Sequence, residues 1–182
     1  MSLRFRYKLI PINHAAVSLG GRLVRPRPII IVSLTGPAGT IVREANLDPG
    51  ADDSVFPESL AAKIGIDLTN APKGEAAGIG QVSVPLRYAE VFMRLANGGE
   101  RHEWRAWVGF TPAPIHRPLL GFAGFLQFSP PPSTGTVRKL NWPSTANSRA
   151  RDFSLFSCFV GHTRANYQKA LLFRITFCRQ DR

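Results

Sequence analysis

The sequence predicts a mainly β fold made of short strands with one or two short helices. Runs of β-branched and apolar residues alternate with turns rich in glycine, proline and asparagine, which is typical of strands joined by hairpins and loops. Strands do not alternate regularly with helices, so a doubly wound parallel sheet is disfavoured. The length of 182 residues suits one domain with a buried core.

The first strands are predicted in the segment that follows the N-terminal 28 residues. The apolar run "IIIVSL" (29–34) predicts a strand, and "GPAG" (36–39) predicts a turn after it. Residues 40–47 alternate loosely between apolar and polar side chains and predict a second strand that returns beside the first.

A short helix is expected over "PESLAAKIGI" (57–66). Pro57 suits the first turn of a helix, Glu58 interacts favourably with the helix N-terminus, and Gly65 is a typical stop. The following segment (67–80) is rich in turn formers and predicts a loop.

Two longer strands are predicted in the second half of the domain. Residues 82–95 predict an extended strand whose even-numbered residues, from Val82 to Tyr88, share one face. "ANGG" (96–99) is a hairpin signal, and residues 100–110 predict the returning strand. "LLGFAGFLQF" (119–128) predicts a buried strand end followed by a short helix.

The net charge of +11 is confined to the two ends of the chain. Residues 1–28 hold six basic and no acidic residues, and residues 137–182 hold nine basic and two acidic ones. Residues 29–136 hold eight basic and ten acidic residues, so the body of the protein is near neutral. Basic ends can bind polyanions or membrane surfaces, but solvated tails are commoner, and we expect no specific nucleic-acid partner.

We expect three segments: a basic N-terminal arm (1–27), a folded domain (28–130) and a basic C-terminal tail (131–182). Two interpretations of the tail stay open, namely a partly disordered appendage and a translated sequence unrelated to the domain. Cys158 and Cys178 match no zinc or redox motif, so a reducing, cytoplasmic location is the default expectation. The apolar runs are too short for a transmembrane segment, and a secretory signal is weakly supported.

The segment "ANLDPGADDSVFPESLA" (45–61) carries the strongest functional signal. An apolar strand ends in Asp48, followed by Pro49-Gly50-Ala51 and then Asp52-Asp53. This resembles the Asp-Thr/Ser-Gly-Ala signature of the retropepsin-like aspartic proteases. Two more landmarks follow in the family's order: Gly78-Ile79-Gly80 resembles the flap tip, and Pro118-Leu119-Leu120-Gly121 resembles the strand end before the C-terminal helix.

The resemblance implies a closed β-barrel of the acid-protease type and a homodimer with Asp48 from each chain at the two-fold axis. Two carboxylates that share a site cannot both ionise cheaply, so one keeps its proton while the other activates a water. It further implies an active-site loop of Pro49, Gly50, Ala51 and Asp52, in which Asp52 supports loop or substrate contacts. Gly78, Ile79 and Gly80 would cover a peptide or protein substrate. No metal or cofactor is needed.

Two positions depart from the family pattern. Pro49 stands where the family has Ser or Thr, and proline supplies neither the hydroxyl nor the backbone N–H that join the two loops across the dimer. After Gly121 the family often has a polar pair that ties the helix to the active-site loop, but this chain has Phe122 and Ala123. That contact is then hydrophobic or is supplied by another residue, and Arg117 is one candidate.

The same residues also allow less specific interpretations. Asp48 in a Pro-Gly sequence is also what an ordinary surface turn contains. "DPGADD" lacks the alternating acids and terminal Glu of a calcium-binding EF-hand loop. Trp104 and Trp107 are three apart on one predicted strand, so they are expected to point to opposite faces, one into the core and one toward an interface.

Three functions therefore remain as hypotheses. The first is a homodimeric aspartic endopeptidase that uses Asp48. The second is a catalytically impaired relative that keeps the dimer and binds peptides, because Pro49 replaces the family's Ser or Thr. The third is a protein that binds polyanions or membrane surfaces through its basic ends.

Overall fold

The computed structural model describes residues 2–78, 80, 82–128 and 172–176. In this part of the chain the secondary structure is mostly extended. The strands are β1 (Ser2–Arg6), β2 (Lys8–Ala16), β3 (Arg22–Arg27), β4 (Ile29–Gly36), β5 (Gly39–Leu47), β6 (Val55–Pro57), β7 (Lys73–Ala77), β8 (Ser83–Asn97), β9 (Glu100–Thr111), β10 (Leu119–Leu120) and β11 (Leu172–Thr176). The helical elements are α1 (Glu58–Lys63) and two 3₁₀ turns, Val17–Leu19 and Leu126–Phe128.

Six of these strands close into a barrel. They are hydrogen-bonded in the order β4-β5-β10-β6-β9-β8, and β8 pairs back to β4. The β5–β10 and β6–β9 pairs are parallel, and the other pairs are antiparallel. β7 pairs antiparallel with the first part of β8, from Ser83 to Arg87, and lies outside the six-strand ring. The predicted fold class, a mainly β closed barrel with one or two short helices, is confirmed.

The barrel interior is filled by apolar side chains that come from every strand of the ring. Its largest fully buried members include Leu34, Phe56, Met93, Phe110 and Leu120. α1 lies across the barrel with Leu60 and Ala61 buried against the same cluster. Burial of this apolar surface is the main force that holds the ring closed.

Most predicted elements are confirmed, with boundaries shifted by one to a few residues. The helix begins at Glu58, after Pro57, and Gly65 follows its end with φ of +75°. The turn at Gly98 and Gly99 joins β8 to β9 with φ of +60° and +85°, as a two-residue hairpin requires. Trp104 is buried and Trp107 is 56% exposed, so their opposite orientation is confirmed.

Two sequence predictions about the β7–β8 region are wrong in part. Residues 73–77, expected in a loop, form β7, because pairing with β8 stabilises a segment that has no β-branched residue of its own. The shared apolar face from Val82 to Tyr88 does not extend over the whole segment, since Val82 is 72% exposed and precedes the strand. Leu86 is buried, but from Val91 onward the odd-numbered residues face the barrel core.

The ends of the chain contribute strands outside the barrel ring. β1 pairs with β11, and Leu3 is buried in the core cluster. β2 and β3 form a separate two-stranded hairpin. The division into arm, domain and tail stays a prediction, and Cys158 and Cys178 lie outside the described residues. Within those residues, the structure holds no helix with the length and apolar character to cross a membrane.

Candidate active site

Asp48 lies at the end of β5, where two neighbouring strands present their carboxyl ends together. Leu47 pairs in parallel with Leu120 of β10, and the Asp48 N–H donates to the Leu120 carbonyl at 3.0 Å. The Asp48 backbone is therefore fixed by the barrel, while its side chain is only half-buried. A carboxylate in this position is rigidly held and still open to water.

The residues after Asp48 form a tight turn that orients its carboxylate. The Ala51 N–H donates to the Asp48 carbonyl at 3.1 Å, and the Gly50 N–H donates to Asp48 Oδ1, also at 3.1 Å. Pro49 occupies the second position of this turn, where its fixed φ fits and no N–H is needed. Within one chain Pro49 is thus a well-suited turn residue, and its missing N–H matters only to groups beyond this loop.

Backbone hydrogen bonds from residues 121–123 brace the loop. The Phe122 N–H donates to the Ala51 carbonyl at 2.9 Å, and the Ala123 N–H donates to the Asp52 carbonyl at 2.7 Å. The buried Ser54 hydroxyl accepts from the Gly121 N–H at 3.1 Å. The loop is therefore tied to the segment before the C-terminal 3₁₀ turn without any polar side chain from positions 122 and 123.

The suggestion that Arg117 supplies this tie is wrong. The Arg117 guanidinium lies 3.5 Å from a Glu44 carboxylate oxygen, on the outer side of β5. Glu44 also pairs with Lys8 at 2.7 Å, and the hydrogen bond from Lys8 is the main cause that lowers the Glu44 pKa. The Phe122 side chain is 61% exposed, so it makes no buried hydrophobic contact with the loop.

The two acids that follow the turn have different surroundings. The Asp52 side chain is exposed, and Asp52 contributes to the brace through its carbonyl. Asp53 is half-buried, and its Oδ2 accepts a hydrogen bond from the Tyr88 hydroxyl at 2.8 Å. The role predicted for Asp52 stays a prediction. No local sequence signal places Tyr88 beside this turn, since it reaches Asp53 from 35 positions further along the chain.

The predicted flap glycines lie in the connection between β7 and β8. Gly78 and Gly80 have open space where a Cβ would be, and Gly80 has φ of +98°. Ile79 lies outside the described residues. A side chain at either of these two positions would therefore meet no described residue. The role of this segment in covering a substrate stays a prediction.

Tyr88 joins this hairpin to the loop around Asp48. Its ring lies so close to Gly74 of β7 that a Cβ there would come within 2.7 Å of the ring. The same side chain donates its hydroxyl to Asp53. Burial raises the pKa of Tyr88 to about 12, and the hydrogen bond to Asp53 acts in the same direction. Tyr88 therefore connects the β7–β8 hairpin to the loop that follows Asp48 through one hydrogen bond.

We predict that Tyr88→Phe lowers the free energy of unfolding by about 1 kcal/mol near neutral pH. This value is the usual contribution of a hydrogen bond to a charged group, reduced because the pair is partly exposed. The folded state holds the phenol proton more tightly than the unfolded chain does. This contribution is therefore complete below pH 10.0 and is lost as the pH rises toward about 12. Urea midpoints of wild type and Tyr88→Phe should converge over that interval.

The control for this prediction is Asp53→Asn. In that background Tyr88→Phe should cost less, because the charged acceptor is already gone. A gap between wild type and Tyr88→Phe that stays constant from neutral pH to about pH 12 would contradict the assignment.

Comparisons with known proteins give a likeness in fold. No protein-family model matches the sequence, and the curated proteins contain no match. Among solved structures, the chain is similar to the EIAV protease in complex with the inhibitor HBY-793, with 23% identity over 52% of this chain and 81% of that one and a TM-score of 0.32. It is also similar to a retropepsin-like aspartic protease from Rickettsia conorii, with 13% identity over 66% of this chain and 76% of that one and a TM-score of 0.37.

Proposed function

We propose that this protein is a homodimeric aspartic endopeptidase in which Asp48 of each chain supplies one of the two catalytic carboxylates. The observation that carries the proposal is the position of Asp48 itself. Its backbone is bonded to the end of β10, one carboxylate oxygen is fixed by the Gly50 N–H, and the side chain is still reached by water. An ordinary surface turn also contains the bond from the N–H two positions on, but it does not need the bond that ties the Asp48 backbone to the end of β10.

The chemistry follows from a pair of such carboxylates. One of them, ionised, takes a proton from a water that attacks the scissile carbonyl carbon, and the other, protonated, donates to the carbonyl oxygen. The Gly50 N–H holds Asp48 Oδ1 in place, and in the proposed mechanism Oδ2 is the oxygen that takes part in the reaction. Gly78 and Gly80 allow close approach of an extended peptide backbone, because neither carries a side chain.

The test is cleavage of a peptide library at mildly acidic pH by the full chain, with pepstatin as the inhibitor and sedimentation to measure the dimer. We expect cleavage that pepstatin abolishes and whose specific rate rises with protein concentration until the dimer is saturated. A monomer at every concentration, or cleavage that pepstatin leaves untouched, would contradict the proposal.

A second candidate function is peptide binding without cleavage, and Pro49 favours it. The single chain accommodates proline in the turn, but proline removes one N–H and the hydroxyl that a partner loop would bond. If the two catalytic carboxylates are misplaced by about 1 Å, the rate of peptide cleavage falls roughly 100-fold. In this case the dimer would bind peptides in its groove and turn them over very slowly.

We predict that Pro49→Thr raises the rate of peptide cleavage by roughly 10- to 100-fold, because it restores both groups at the centre of the dimer. The matched control is Pro49→Ala, which restores the N–H but not the hydroxyl and should recover only part of the increase. Steady-state cleavage by the three proteins at equal dimer concentration measures the effect. Equal rates in all three would show that Pro49 does not impair this site.

A further inference from the structure

The hairpin of β2 and β3 stands apart from the barrel as its own two-stranded sheet. Its strands pair from Lys8 with Arg27 to Pro11 with Val24, and the register shifts toward the tip at Ala16 and Arg22. Gly20 and Gly21 close the tip with φ of +64° and +77°. These left-handed conformations turn the chain sharply directly after the 3₁₀ turn.

The hairpin exposes aliphatic side chains. Val17 is 93% exposed at the tip, Leu23 is 59% exposed beside it, and Leu9 is 57% exposed further down. Leu9, Pro11, Val24 and Pro26 form paired positions on one face. Leu23 lies on the opposite face, with Arg25 and Arg27, because successive side chains of a strand alternate. Single exposed apolar residues are ordinary, but exposed apolar groups at the tip and on both faces of one hairpin indicate an interaction surface.

The same hairpin carries positive charge that nothing in the described chain neutralises. Arg22, Arg25 and Arg27 are exposed, and none of them has an ion pair among the described residues. The first acidic residue in the sequence is Glu44, and it is paired with Lys8 and Arg117. The surface is therefore aliphatic and cationic at once.

We propose that the β2–β3 hairpin docks the protein on anionic lipid membranes. Val17 and Leu23 enter the headgroup region, and Arg22, Arg25 and Arg27 lie against lipid phosphates. Membrane binding of this kind grows with buried apolar area and with attraction between basic side chains and anionic lipid. This inference is independent of the proposed protease activity.

The composition of the hairpin favours a lipid surface over the other candidate partners. Single-stranded nucleic acids are bound through aromatic stacking together with basic grooves, and residues 8–27 contain no Phe, Tyr or Trp. A second copy of the same hairpin would bring like charges together, which is unfavourable. Aliphatic side chains beside arginines match the acyl chains and phosphates of a lipid layer.

The experiment is cosedimentation of the full chain with vesicles of phosphatidylcholine alone and of equal parts phosphatidylcholine and phosphatidylserine. We expect binding to the second kind only. Arg22→Gln with Arg25→Gln should weaken it about 30-fold, from the contribution of two basic residues near an anionic surface. Val17→Ser with Leu23→Ser should weaken it at least about tenfold by removing the inserted apolar groups.

Matched controls come from the barrel surface. Arg94→Gln with Arg101→Gln removes the same charge, and Ile31→Ser with Val42→Ser removes exposed apolar groups, so both should bind as wild type does. The proposal would be overturned if the protein bound no vesicles, or if it bound both kinds of vesicle equally. It would also be overturned if the control variants lost as much vesicle binding as the hairpin variants. The same holds if the hairpin variants kept vesicle binding and changed only RNA binding or dimer formation, each measured in parallel. Unchanged thermal unfolding of the hairpin variants excludes a loss caused by misfolding.

Discussion

Asp48→Asn is expected to reduce peptide cleavage by about 10³-fold or more while the fold is unchanged. The variant keeps the shape of the side chain and an oxygen that can accept from the Gly50 N–H, and the bond to Leu120 is made by the backbone. In the proposed mechanism it removes the carboxylate that takes a proton from the attacking water, and general base catalysis contributes roughly 10²- to 10⁴-fold. Initial rates of cleavage at saturating dimer concentration measure the loss.

The matched control for this variant is Asp67→Asn. Asp67 Oδ1 accepts from the Thr69 N–H at 2.8 Å, so it forms the same kind of turn as Asp48 with the residue two positions later. It lies between α1 and β7, outside the active-site loop. Asp67→Asn makes the same change in charge and should cleave at the wild-type rate. If Asp48→Asn cleaves as fast as Asp67→Asn, then Asp48 is not the catalytic base.

The position of Asp48 was predictable from the sequence because its signals are local. An apolar strand, an Asp and a Pro-Gly turn follow each other within a few residues, and each has a conformational consequence of its own. The barrel topology then fixes only which strand end lies beside the turn. Gly121 could be placed in the same way, since it directly follows the short apolar strand β10.

Contacts that depend on closure of the barrel were not predictable in this way. Tyr88 reaches Asp53 across 35 positions of sequence, and no local pattern connects the two. Arg117 is one candidate from the sequence for the contact with the loop, but in the structure its guanidinium pairs with Glu44 of β5. β7 has weak strand propensity and forms because β8 pairs with it.

Among the described glycines, the brace between the loop and residues 121–123 makes Gly121 the one with least room for a side chain. A Cβ at Gly121 would lie 2.3 Å from the Asp53 carbonyl oxygen and 2.6 Å from that of Ala51. Both contacts are with backbone that is already held by hydrogen bonds, so neither can move without breaking the brace. Close packing of residues 121–123 on the loop that holds Asp48 therefore requires glycine at position 121.

We predict that Gly121→Ala destabilises the fold by about 3 kcal/mol, the upper part of the range for overpacking. Urea unfolding followed by tryptophan fluorescence measures this, because Trp104 is buried and donates its indole N–H to the nearby Gly124 carbonyl. The matched control is Gly78→Ala, since a Cβ there has nothing within 4 Å and its φ is not in the left-handed region. Equal midpoints for the two variants would mean that residues 121–123 do not pack on the loop, and the rigid support inferred for Asp48 would then be lost as well.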